Sequence, residues 1–146
     1  MKTCILNAIM LLSLFSLVSC KGPSIIERFD VNPKNIYVPA IGGEYEITSD
    51  LFDCVYIVIN GITYETERYT GQKESKTYTV SAGWISASFT PMGGEQPTIV
   101  KIKVSDNNSV AMREATIIVS DVIKGSGQVK IRQYYHSQGS IASYDQ

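Results

Sequence analysis

The chain has 146 residues, 44% of them hydrophobic and 18% charged, with 13 basic against 14 acidic side chains and 3 cysteines. That length suits one domain and excludes two of ordinary size. A charge balance so near zero lacks the basic footprint of a nucleic-acid binder, so no nucleic-acid partner is expected, and the hydrophobic share belongs to a globular chain rather than a disordered one.

The chain begins with an address. Lys2 supplies one positive charge, and residues 5–18 are mostly apolar, with Leu11, Leu12, Leu14, Phe15, Leu17 and Val18 at the centre. A charged start followed by a short apolar run is the pattern of a secretory signal, and it falls short of the about 20 apolar residues that span a bilayer. Leu17-Val18-Ser19-Cys20 then looks like a bacterial lipobox, where a diacylglycerol joins the cysteine thiol before the peptidase cuts. Residues 1–19 are thus expected to be a lipoprotein signal peptide, with Cys20 as the lipidated first residue of the mature chain. Several acyl chains on one cysteine, at about 0.8 kcal/mol per buried methylene, make a stable membrane anchor. Cys4 leaves with the signal, Cys20 is acylated, and Cys54 stands alone, so no disulfide can form within the domain. Cys54 lies in Phe52-Asp53-Cys54-Val55-Tyr56-Ile57-Val58-Ile59, where a thiol serves as a small buried hydrophobe.

Residues 20–27 read as a tether, with Gly22-Pro23-Ser24 opposing regular structure. Over residues 28–136 the chain is a succession of period-two patterns between turn residues, without a helical stripe. Pro33 and Pro39 flank the first strand and mark it as an edge, because proline cannot donate to a ladder. Tyr45 and Ile47 alternate with Glu44, Glu46 and Thr48. The run from Val55 to Ile59 is apolar on both faces, which fits either a central strand covered on both sides or a surface for self-association or a partner. Asn60-Gly61 supplies the positive φ angles of a two-residue hairpin. Tyr78 and Val80 alternate with Thr77, Thr79 and Ser81, and Trp84 shares their parity, which assigns it to the core. Val100, Ile102 and Val104 alternate with lysines, Ala115, Ile117 and Val119 share one face, and Val129 and Ile131 alternate with Lys130 and Arg132. Gly42-Gly43, Gly93-Gly94 and Gly125-Ser126-Gly127 punctuate these runs, the last as a hairpin loop. The count predicts an all-β, antiparallel β-sandwich of about seven to nine strands. Residues 137–146 are polar and expected to be a flexible tail.

The order of motifs carries a resemblance. Trp84-Ile85-Ser86, Gly93-Gly94, Asn107-Asn108-Ser109, Arg113-Glu114-Ala115-Thr116-Ile117 and Val129-Lys130-Ile131-Arg132-Gln133 follow one another over residues 84–133, preceded by Val31-Asn32-Pro33 and Gly42-Gly43. This series resembles the BACON domain, the Bacteroidetes-associated carbohydrate-binding often N-terminal family. The stretch from Asp50 to Ser75 is longer than the family's pattern and reads as an extra hairpin. The resemblance implies an immunoglobulin-like sandwich on an exported protein attached to glycan-processing or adhesive machinery, and the expected location is the outer membrane, facing either the cell surface or the periplasm.

No residues assemble a catalytic motif. His136 follows the last expected strand without a nucleophile motif or metal-ligand spacing, and neither Gly-x-Ser-x-Gly nor His-Glu-x-x-His occurs. No enzyme activity, cofactor or metal is expected. Residues 105–109 offer oxygen ligands but lack the glycine and distal glutamate of a calcium loop, and Asp and Asn are ordinary turn residues. Tyr64 and Tyr69, in the extra hairpin, are the candidates for an aromatic platform that would cover a sugar's apolar face. The other reading is that they only cover the sheet. Arg113 and Gln133 stand at strand ends, where long polar side chains cap loop backbone. The expected function is a non-catalytic envelope lipoprotein binding a glycan or glycoprotein. The alternative is a structural spacer or a protein-interaction subunit of an envelope complex.

Overall fold

The computed structural model describes residues 29–71 and 75–136. The expected signal peptide, Cys20, the tether and the tail at 137–146 lie outside these described residues. Within them every regular element is a strand: β1 (Val31–Asn32), β2 (Asn35–Val38), β3 (Gly43–Ser49), β4 (Cys54–Ile59), β5 (Ile62–Glu65), β6 (Tyr78–Ala82), β7 (Ile85–Phe89), β8 (Ile99–Val104), β9 (Arg113–Asp121) and β10 (Gly125–Gln133). They form two five-stranded sheets, in the orders β1-β3-β8-β7-β6 and β2-β10-β9-β4-β5. All pairs are antiparallel except β2 with β10. The neighbours β3-β8-β7 and β10-β9-β4 follow the B-E-D and G-F-C arrangement of an immunoglobulin sandwich, so the expected fold class holds.

Ten strands exceed the expected seven to nine because the first one is divided. Proline lacks an N–H and fixes its φ, so the ladder stops at Pro33. Val31 and Asn32 pair with β3 in one sheet, and four residues from Asn35 pair with β10 in the other. β2 is a sheet edge, as the flanking prolines require.

The alternation read from sequence becomes the core. Ile47, Val80, Ala87, Val100 and Ile102 face inward from the first sheet, and Val55, Ile57, Ile117, Val119, Val129 and Ile131 from the second. Each fully buried aliphatic side chain contributes about 1.5–3 kcal/mol of transfer free energy. β4 is an interior strand, with Val55 and Ile57 in the core and Tyr56 and Val58 half-buried on the outer face. Cys54 is free and buried, but on that outer side. Thr66 covers it, with its carbonyl oxygen and its Oγ1 each 3.6 Å from Sγ. The Asn60-Gly61 hairpin forms as expected, with φ of 52° and 79° and Ile59 opposite Ile62.

Two expectations are corrected. Gly125-Ser126-Gly127 is not a loop but the start of β10, paired with Asp121, Ser120 and Val119. The turn precedes it at residues 122–124, where Asp121 Oδ1 accepts from the amides of Ile123 (2.8 Å) and Lys124 (2.9 Å). Gly127 serves close approach, since a Cβ there would collide with Val31 Cγ2. Trp84 is not a core residue. Ala82 is the last inward side chain of β6, and the chain reverses through Gly83, at φ 60°, and Trp84. The parity counted along β6 does not survive the turn, which leaves the indole half-buried at the rim.

Candidate functional site

The antiparallel plan gives the sandwich two distinct ends. At the near end the described chain begins at Phe29, and the β3–β4, β7–β8 and β9–β10 connections cluster. At the far end lie the β2–β3, β4–β5, β6–β7 and β8–β9 connections, together with residues 134–136, which leave β10.

The two tyrosines proposed as a platform are not brought together. Tyr69 is only 5% exposed and packs edge-to-face against Tyr78, ring centroids 6.0 Å apart, so it cannot offer a face to a ligand. Its backbone N–H donates to Asp53 O at 2.8 Å, which draws the segment after β5 back onto the start of β4. Tyr64 is 38% exposed on the edge strand β5 and stands alone.

The far end gathers a different set. Its interior is closed by two fully buried amides instead of by apolar side chains. Gln133 Nε2 donates to the carbonyl oxygens of Ser105 (2.7 Å), Ala40 (3.2 Å) and Pro39 (3.4 Å). Asn107 Nδ2 donates to Tyr134 O (2.9 Å) and Ala111 O (3.0 Å), while its backbone N–H donates to Ala40 O (2.7 Å). Asn107 Oδ1 accepts from the amide (3.2 Å) and hydroxyl (2.7 Å) of Ser109, so residues 105–109 close on themselves as a turn. Buried loop carbonyls need such donors, and these two side chains tie the β2–β3 turn, the β8–β9 loop and the chain after β10 into one unit. Gln133 therefore caps loop backbone, as its position at the strand end implied.

With amides inside, the rings stand outside. The Arg113 guanidinium lies 5.7 Å from the centroid of the half-buried Trp84 ring and donates from one terminal nitrogen to Asp106 O at 3.3 Å. Trp84 O in turn accepts from the Ser105 amide at 2.9 Å. His136 Nε2 sits 3.0 Å from Asp106 Oδ1, a charged pair when the ring is protonated. Tyr134 and Tyr135 are 51% and 45% exposed, and Ile41, Val110 and Met112 project from the same loops. Aromatic and aliphatic surface is thus interleaved with a guanidinium, an imidazole and a carboxylate. Rings of this kind stack on apolar faces while the polar groups exchange hydrogen bonds with hydroxyls.

The outer face of the first sheet offers a contrast. A shallow groove of about 470 Å³ there is lined by Glu44, Glu46, Ser86, Ser88, Lys101 and Lys103 among others. Register places Glu44 opposite Lys103, with 3.5 Å between their charged atoms, and Glu46 opposite Lys101. Opposite charges face each other across the strands in solvent, the ordinary use of an exposed antiparallel face. Among the described residues no cluster of three or more His, Cys, Asp or Glu could hold a metal ion.

No family model matches the chain, and no curated protein matches it. Two solved structures are similar. One is a Bacteroides ovatus GH5 xyloglucanase in complex with a XXXG heptasaccharide, at 19% identity and TM-score 0.48 over 81% of this chain, which spans only 21% of that chain. The other is WR4, a C. elegans MSP family member, at 10% identity and TM-score 0.31, covering 74% of this chain and 97% of that one. Likeness of this degree says nothing about what the chain binds.

Sequence reasoning missed Tyr134, Tyr135, Val110, Met112 and Ile41. The signal was there in part: Tyr134-Tyr135 follows Gln133 directly, and Val110 and Met112 are apolar residues in an otherwise polar turn segment. Their convergence depends on the Asn107 and Gln133 hydrogen bonds, which join residues up to 94 positions apart.

Proposed function

We propose that this protein is a non-catalytic, lipid-anchored module of the outer membrane that binds a glycan or glycoprotein through the far end of its sandwich. The observation that carries the reading is the display of Trp84, Tyr134 and Tyr135 beside Arg113, Asp106 and His136 on loops held by buried Asn107 and Gln133. The sequence resemblance to the BACON domain supports the sugar-binding part, and the lipobox-like Leu17-Val18-Ser19-Cys20 supports the anchor. A lipid on Cys20 would join the domain at Phe29, on the near end, and β9 and β10, nine residues each, carry the chain about 30 Å from there to the far-end loops.

A second reading is a protein-contact or spacer subunit without a sugar site, and the aliphatic side chains of Ile41, Val110 and Met112 in the same patch favour it. A glycan array probed with the chain from Gly22 onward separates the two. Binding that is lost in Tyr134→Ala/Tyr135→Ala and kept in Tyr64→Ala is the expected result. No binding to any glycan would remove the first reading. The anchor is tested separately: Cys20→Ala should abolish metabolic lipid labelling and release the protein from membranes, and continued labelling would refute the assignment.

A further inference from the structure

The charges of the far end do not all cancel. Glu44 lies 3.5 Å from Lys103, and Glu114 accepts from Arg132 Nε at 2.9 Å, each pair across adjacent strands. Asp106, the acidic residue of the β8–β9 loop, turns Oδ1 to His136 Nε2 at 3.0 Å. Arg113 is left over. Of the three arginines among the described residues, Arg68 is paired with Asp53 and Arg132 with Glu114, whereas Arg113 meets no carboxylate there.

Burial sharpens the imbalance. Arg113 is half-buried, and a guanidinium drawn partly out of water is stabilised by a counter-ion and by acceptors for its five N–H groups. Its Nη1 donates to Asp106 O at 3.3 Å, while Nε and Nη2 have no protein acceptor among the described residues. Those two nitrogens share one edge of the planar group, and such an edge takes a carboxylate through two parallel hydrogen bonds. The plane is also held in place. Its carbon lies 5.7 Å from the Trp84 ring centroid, and Trp84 O is tied to the Ser105 amide at 2.9 Å. A fork fixed in this way loses little freedom when it binds. One indole face is covered by Arg113, so Trp84 supports the guanidinium, and the more exposed Tyr134 and Tyr135 are the rings left to stack on a sugar.

We propose that Arg113 is the carboxylate-binding residue of the far end, and that the glycan bound there carries a uronic acid. The proposal rests on the far-end reading above and adds a ligand class to it. The sugar carboxylate would accept from Arg113 Nε and Nη2, and a pyranose ring beside it would lie against Tyr134 or Tyr135. Asp106 is close by, but its carboxylate faces His136 and its carbonyl oxygen faces the guanidinium.

Matched probes test this on the unaltered chain from Gly22 onward: tetragalacturonic acid against its full methyl ester, and a hyaluronan tetrasaccharide against its carboxyl-reduced form. In calorimetry at low salt the acid of at least one pair should bind about tenfold tighter than its neutral partner, and added NaCl should shrink that advantage. Arg113→Gln should remove the advantage, and Arg113→Lys, which keeps the charge without the fork, should retain only part of it. Lys103→Gln, at a cation already paired, should leave it unchanged. Equal binding of acid and neutral partner, lost in Tyr134→Ala/Tyr135→Ala, would overturn the carboxylate assignment and leave the far-end sugar site standing. No binding of any glycan would remove both. An acid preference that survives Arg113→Gln would place the anion elsewhere and overturn the proposal. Equal affinity for tetraglutamate would do so too, by making the partner an acidic peptide.

Discussion

The two ends of the sandwich use aromatic residues in opposite ways. At the near end the rings are the plug: Phe52 and Phe89 meet edge-to-face at 5.0 Å, Tyr78 stacks on Phe89 at 4.9 Å, and Tyr69 closes on Tyr78. At the far end the plug is polar, made of Asn107 and Gln133, and Trp84, Tyr134 and Tyr135 stand at the rim or in solvent. A ring buried at a sheet end stabilises the fold and is lost to recognition. Closing the far end with amides satisfies the loop carbonyls and leaves the rings outside, so that end combines rigid loops with exposed aromatic surface. The difference teaches where stability and contact are divided in a small domain without a disulfide.

The comparison breaks first at Phe52. It is fully buried, so Phe52→Ala should cost about 3–5 kcal/mol in urea unfolding of the chain from Gly22 onward, lost transfer energy and cavity together. A cost under about 1 kcal/mol would mean that the near-end rings are not the plug. Next comes Gln133→Ala, which removes the donor to Ser105 O and loosens the ties to Ala40 O and Pro39 O, which keep the Asn107 and Gly42 amides, and should cost about 1–3 kcal/mol. Its second signature is local: hydrogen exchange should accelerate in residues 105–112 and leave the near end protected. Uniform acceleration would show that the amide supports the whole fold and not the far-end loops.

The division between ends was only partly legible in the sequence. Period-two runs such as Val100, Ile102 and Val104 give strands and their inward faces directly, because side-chain direction alternates along any extended chain. The Asn60-Gly61 hairpin was equally plain, since few other dipeptides accept two positive φ angles. Trp84 was misplaced because alternation counts say nothing once a turn intervenes, and Gly125-Ser126-Gly127 because glycine for close packing looks the same as glycine for a turn. Tyr69 was indistinguishable from Tyr64 in sequence, because its inward place depends on contacts made across the fold, among them its amide bond to Asp53 O and its packing on Tyr78. The far-end site was illegible for a topological reason: Gln133 meets Pro39 and Ala40 only when β10 lies parallel to β2.

Acid should discriminate the ends more gently. The near-end turn at residues 122–124 is held by the Asp121 carboxylate, whereas the far end is held by amides that do not titrate. Burial pushes the Asp121 pKa up, but hydrogen bonds from the Lys124 and Ile123 amides and from Gln96 outweigh it and leave it below the usual 3.8. A carboxyl whose folded pKa is depressed contributes stability that is present above its unfolded value and lost as pH falls through the folded one. Wild-type stability should therefore decline below about pH 4, and Asp121→Asn should flatten that decline while lowering stability at neutral pH. Hydrogen exchange at low pH should rise first around residues 121–125. An identical acid limb in the variant would remove Asp121 as the sensor.

The smallest expected effect is the sharpest test of the far end. Tyr134 and Tyr135 lie beyond the last ladder position, Gln133 opposite Arg113, and the hydrogen bonds that hold this stretch are made by the backbone: the Tyr134 amide donates to Val38 O, and Tyr134 O accepts from Asn107. Truncating either ring to alanine leaves both bonds in place. Each of Tyr134→Ala and Tyr135→Ala should change stability by no more than about 0.5 kcal/mol, the range of surface substitutions away from special features. The two together should add without coupling if neither ring plugs the loops. A loss above about 1 kcal/mol, or strong non-additivity, would place the rings in the structural account with Phe52. If the loss is negligible, neither ring serves folding, and the same pair of variants is the one to carry into the binding assay.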